Sequence, residues 1–74
     1  MNNDAANHPH MQYLLAKRRE IEKRTFYYDR LIDEAEAQGN QQNHIRILEG
    51  GRDEANQQWR TISREIQNFR IKFQ

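Results

Sequence analysis

The chain has 74 residues, 35% apolar and 31% charged, with a net charge of +1 and no cysteine. A core of this size is marginal unless disulfides, a metal or assembly supports it, and the lack of cysteine removes disulfides and thiolate metal sites. No apolar run approaches the roughly 20 residues that cross a bilayer, and the near-neutral charge excludes a strongly basic, nonspecific binder of nucleic acid.

Residues 1–8 are small, polar and without periodicity, so they are expected to form a flexible N-terminal tail. They carry neither a basic flank nor an apolar h-region, so no signal peptide is expected and the expected setting is intracellular or virion-associated.

Pro9 marks the start of the first element, because proline at the first helical position gives up an N–H that has no helical partner. From there Met11, Leu14, Arg18, Ile21, Thr25, Tyr28, Ile32 and Ala35 recur at steps of three and four. That spacing predicts an amphipathic helix, and Gly39 is a suitable residue to end it at Gln38. The predicted helix 1 covers residues 9–38, roughly 45 Å at 1.5 Å per residue. Residues 39–43 form the predicted loop, where Gly39 and the asparagines tolerate left-handed backbone and Asn40 or Asn43 can cap the next helix.

Helix 2 is predicted over residues 44–73. Its ladder reads Ile45, Leu48, Arg52, Ala55, Trp59, Ile62, Ile66, Phe69 and Phe73. Gly50 and Gly51 lie inside it and together cost on the order of 2 kcal/mol against alanine. The ladder nevertheless steps across them without a phase slip, which predicts one continuous helix.

The two ladders share one register. Ile32 faces Leu48, Tyr28 faces Arg52, Ile21 faces Trp59, Leu14 faces Ile66 and Met11 faces Phe69, and each pair of residue numbers adds to 80. The fold class is therefore all-α: residues 9–74 form an antiparallel, coiled-coil-like two-helix hairpin. Within the seam, Arg52 is expected to stack on Tyr28, and Arg18 to lay its stem on the seam with its head in solvent.

Helix 1 carries more apolar surface than this seam uses. Tyr13, Leu15, Phe26, Tyr27 and Leu31 lie off the ladder and are the candidate protein-interface residues, since clustered exposed aromatics mark contact surfaces. Charge is also divided along the hairpin. Residues 17–24 and 60–72 hold nine basic against three acidic side chains, and residues 29–54 hold three basic against seven acidic. Two hairpins packed head to tail through helix 1 would oppose unlike charge at both ends, so the expected partner is a second copy in an antiparallel four-helix bundle, or another helical protein.

Other chemistries find less support. Lys17, Arg18, Arg19, Lys23, Arg24, Arg60 and Arg64 are the candidate nucleic-acid or anion contacts, but Glu20, Glu22 and Glu65 interrupt them, and backbone binding needs a face of one sign. His8, His10 and His44 do not complete a metal-ligand spacing, so no metal or other cofactor is expected. The few hydroxyl side chains have no histidine in helical reach, and a narrow hairpin offers no concave pocket, so neither catalysis nor a small-molecule substrate is expected. The narrow seams fit a partner helix better than a membrane surface. The functional expectation is a non-enzymatic assembly protein, such as an adaptor, small chaperone or structural subunit. A nucleic-acid-binding regulator is the alternative.

Overall fold

The computed structural model describes residues 4–39 and 42–72. It comprises a short helix α1 (Asp4–Asn7) and two long helices, α2 (Pro9–Gln38) and α3 (Gln42–Lys72), with no strand among the described residues. The long helices pack antiparallel as a rod of 57 × 14 × 13 Å.

Both boundaries of α2 have a local cause. Pro9 stands in the first turn of α2, and the His8 side chain caps it, its Nδ1 accepting the His10 backbone N–H at 3.1 Å. At the other end Gly39 adopts φ 72°, which glycine reaches without steric cost, and its N–H donates to the Glu36 carbonyl at 3.1 Å. Two expected boundaries move. Asp4–Asn7, within the expected tail, form a helical turn, whereas residues 1–3 lie outside the described residues. Gln42 and Asn43, expected in the loop, are already helical, and Asn40 and Gln41 lie outside the described residues, as does Phe73.

The buried side chains are Met11, Leu14, Ile21, Ile32, Ala35, Leu48, Ala55 and Ile66, all seam positions. They gather into two apolar clusters. One, at the open end, joins Met11 and Leu14 to Ile66, with Leu15, Ile62 and Phe69 packed on it. The other, near the loop, joins Ile32 and Ala35 to Leu48, with Tyr28, Leu31 and Ile45 packed on it. The predicted register holds, since polar and ring contacts between the helices join residues whose numbers add to between 77 and 82. His8 and His10 add to the open end: both rings meet Phe69 edge-on, with centroids 5.0 and 5.2 Å away.

α3 runs unbroken through Gly50 and Gly51, and the two glycines have different surroundings. A Cβ on Gly50 would meet nothing within 4 Å. A Cβ on Gly51 would lie 2.6 Å from Tyr28 Cζ and 2.9 Å from its hydroxyl oxygen. The Tyr28 ring therefore lies directly on the α3 backbone, in space that only glycine leaves free. This corrects the expected pairing of Tyr28 with Arg52. Arg52 turns instead to Asp29, donating from Nη1 to Oδ1 at 3.3 Å.

Candidate protein-binding surface

Because the two helices touch along a narrow seam, each heptad position beside the seam belongs to one of two flanks of the rod. Leu15, Glu22, Phe26 and Asp29 of α2 share a flank with Asn56 and Ser63 of α3. Tyr13, Lys17, Arg24, Tyr27 and Leu31 share the opposite flank with Ile47, Gly51 and Gln58. Polar contacts between the helices agree with this division: Trp59 bonds Glu22 on the first flank, and Arg24 Nη2 donates to Gln58 Oε1 at 2.8 Å on the second.

The candidate interface residues are thus divided. Phe26 is the most exposed of them at 72%, and Tyr13 and Tyr27 on the other flank are also exposed. Leu15 and Leu31 are half-buried because each packs on the edge of an apolar cluster. Tyr13 stacks on His10 at 6.3 Å, and the Arg30 guanidinium lies 6.0 Å from the Tyr27 ring.

Trp59 is the residue that heptad reading misplaces. Its ladder position places it inside the seam opposite Ile21, yet it is 36% exposed. Its ring lies at the seam edge, where Nε1–H donates to Glu22 Oε2 at 2.9 Å. The Arg18 guanidinium sits 5.8 Å from the centre of the ring, so its head lies over Trp59 instead of reaching into solvent as expected. The Glu22 carboxylate that accepts the indole N–H lies on the flank, and the bond is exposed to water. The spacing pattern carries no information about that bond.

Trp59 and Phe26 line an open cleft of about 420 Å³ together with Glu22, Thr25 and Asn56. The cleft lies at mid-rod, close to the centres of both long helices. Its walls are mostly carbon, but its carboxylate already holds the indole and its hydroxyl is also committed, Thr25 Oγ1 donating to the Ile21 carbonyl at 3.1 Å. The cleft therefore suits an apolar side chain.

The charges follow the flanks. On the Trp59 flank the open half carries Arg18, Arg19, Arg60 and Arg70 against Glu22, and the loop half carries Asp29, Asp33, Glu36, Glu49 and Asp53 against Arg46 and Arg52. That is +3 facing −3. On the opposite flank Lys17, Arg24 and Lys72 meet Glu20 and Glu65 in the open half, and Glu34 and Glu54 stand in the loop half, +1 against −2. Lys23, Arg30 and Arg64 lie along the outer edges. The seven candidate nucleic-acid contacts are therefore spread around the rod and form no single stripe. Two of them are also partnered on their own flank: Lys17 lies 3.9 Å from Glu20, and Arg24 bonds Gln58.

Among the described residues no three His, Asp or Glu side chains gather as a metal cluster, and no helix is long and apolar enough to cross a membrane. The chain matches no protein-family model, and comparison with curated proteins and with solved structures finds no significant match.

The one ion pair found between the helices among the described residues gives a small, testable effect. Asp29 and Arg52 are both partly in water, and pairs of this kind contribute about 0.2–1 kcal/mol. Asp29→Asn is expected to lower stability to urea by no more than about 1 kcal/mol, a loss that fades in about 1 M salt. A larger loss that ignores salt would show that the pair has a packing role instead.

Proposed function

We propose that this chain is a non-enzymatic assembly module, a rigid helical hairpin that works as an adaptor or structural subunit by packing one flank against another helical surface. The observation that carries the reading is the pair Phe26 and Trp59, two large aromatics held at the surface around an open apolar cleft. Exposed aromatics grouped in this way mark contact surfaces. The rod shape adds support. Its accessible surface is 5753 Å², against about 4,900 Å² for a compact protein of 9.0 kDa. The cysteine-free composition fits an intracellular setting, and the abundance of Asn and Gln suits an intracellular or virion-associated module.

The alternative, a nucleic-acid-binding regulator, is weakened by the dispersal of the basic residues over both flanks and the outer edges. A gel-shift titration in about 50 mM salt separates the two, because phosphate binding falls steeply with salt. No retarded complex is expected. Light scattering of the purified chain, with an affinity pull-down beside it, is expected to give self-association or a specific protein partner. A chain that stays monomeric, captures no protein and shifts duplex DNA or RNA in a salt-sensitive manner would overturn the reading.

A further inference from the structure

We propose that the Trp59 flank is where two copies of this chain meet, antiparallel about a twofold axis at mid-rod, each copy's Phe26 filling the other's Trp59 cleft. This rests on the assembly reading and names its partner and its surface.

Three observations choose this arrangement. The first is shape. A twofold axis across the flank at mid-rod reverses the rod and lays α2 on α2 and α3 on α3. Residues equally far from the middle of each helix then meet. Phe26 sits just to one side of the middle of α2 and Glu22 just to the other, so the projecting ring of one copy arrives at the Glu22–Trp59 cleft of its mate. The same operation places the second ring in the first cleft, as a self-complementary interface requires. Knob and cleft meet in this way only when they lie equally far from the axis on opposite sides, and because both lie near mid-rod the two rods can overlap along most of their length.

The second observation is charge. The +3 and −3 halves of this flank oppose each other only when the rods are antiparallel. By helix spacing, Arg19 of one copy comes level with Asp29 of the other, and Arg60 with Asp53. A parallel pair would set like charge on like charge. The opposite flank carries a weaker division of charge and so specifies orientation less.

The third is area. Two rods in contact over about 45 Å of helix length and 14 Å of width cover roughly 600 Å² each. The total of about 1,200 Å² reaches the lower range of stable interfaces.

The experiment uses the whole chain. Trp59 is the only tryptophan, so its emission reports on this surface alone. Sedimentation is expected to give a dimer, and the Trp59 emission is expected to move to the blue over the concentration range in which the dimer forms. Phe26→Asp is expected to raise the dimer dissociation constant at least tenfold (about 1.4 kcal/mol) and to leave helicity by circular dichroism unchanged. Tyr27→Asp is expected to change the constant less than about twofold. Arg60→Glu is expected to weaken the dimer, and adding Asp53→Arg to restore it. Spin labels on Ala37→Cys are expected about 40 Å apart in the antiparallel dimer, against less than about 25 Å in a parallel one.

A dimer sensitive to Tyr27→Asp and indifferent to Phe26→Asp overturns this proposal and leaves the assembly reading in place, on the other flank. A short label distance overturns the antiparallel arrangement. A monomer at every concentration overturns self-pairing altogether, and the pull-down then decides whether the assembly reading also fails.

Discussion

Ile66→Ala is expected to cost about 2–5 kcal/mol, and Ile71→Ala, five residues along the same helix, less than about 0.5 kcal/mol. The chemistry of the two changes is identical, so burial alone sets the difference. Ile66 is 1% exposed and is the α3 member of the open-end cluster, where Met11 and Leu14 close over it. Ile71 is 58% exposed on the outer side of the last turn. Removing three carbons from Ile66 loses their transfer free energy and leaves a cavity that two rigid helices cannot collapse into. The total stability of a domain this small is only a few kcal/mol. The Ile66→Ala chain should therefore be largely unfolded at 25 °C, seen as loss of the helical circular-dichroism signal, while Ile71→Ala melts within a few degrees of the parent. Similar losses at both sites would mean that Ile71 is also covered, for example by a second copy.

The two neighbouring glycines are expected to respond with opposite sign. Gly50→Ala adds a methyl group in open space and removes backbone freedom from the unfolded chain, for a gain of about 1 kcal/mol. Gly51→Ala receives the same helical gain, but its methyl group falls 2.6 Å from the Tyr28 ring. The ring must leave the α3 backbone, and forced repacking of that kind costs typically about 1–3 kcal/mol. The net expectation is no gain at Gly51, and a loss of up to about 2 kcal/mol once the two opposing terms are combined. Chemical unfolding of both variants checks the sign. A double-mutant cycle isolates the cause: in a Tyr28→Leu background Gly51→Ala should recover its helical gain, because the clashing ring is gone. If Gly51→Ala stabilises the parent chain as much as Gly50→Ala does, the close approach of Tyr28 is not maintained in solution.

Both expectations depend on features of different legibility. Ile66 belongs to a ladder of threes and fours, which marks it as core, and the shared register of the two ladders names its neighbours before any coordinates are known. Spacing does not reveal the division of labour between Gly50 and Gly51. Heptad phase puts Gly51 beside the seam and Gly50 on the outer face, but only the folded hairpin has the Tyr28 ring take the space over Gly51. Trp59 shows the same limit. Its number places it on the ladder, but a heptad position defines a sector of the helix and an indole is wide enough to leave that sector. In the folded hairpin it rests against the flank carboxylate of Glu22. The candidate surface is accordingly half legible: Phe26 stands out as an apolar residue that the seam does not use, whereas its partner in the cleft reads as core.

Spacing alone specifies the hairpin. A sustained heptad pattern on both sides of Gly39 sets the two helices, their antiparallel direction and their register, because these depend only on rise per residue and on which rungs are apolar. The lengthwise division of charge is equally plain in the chain. How that charge and the surplus aromatics are shared between the two flanks emerges only in the folded hairpin. That sharing depends on where individual rings and guanidinium groups come to rest: Tyr28 over Gly51, Arg18 over Trp59, and Trp59 against Glu22. These are choices among rotamers made by single hydrogen bonds and close contacts, and a repeat pattern does not encode them.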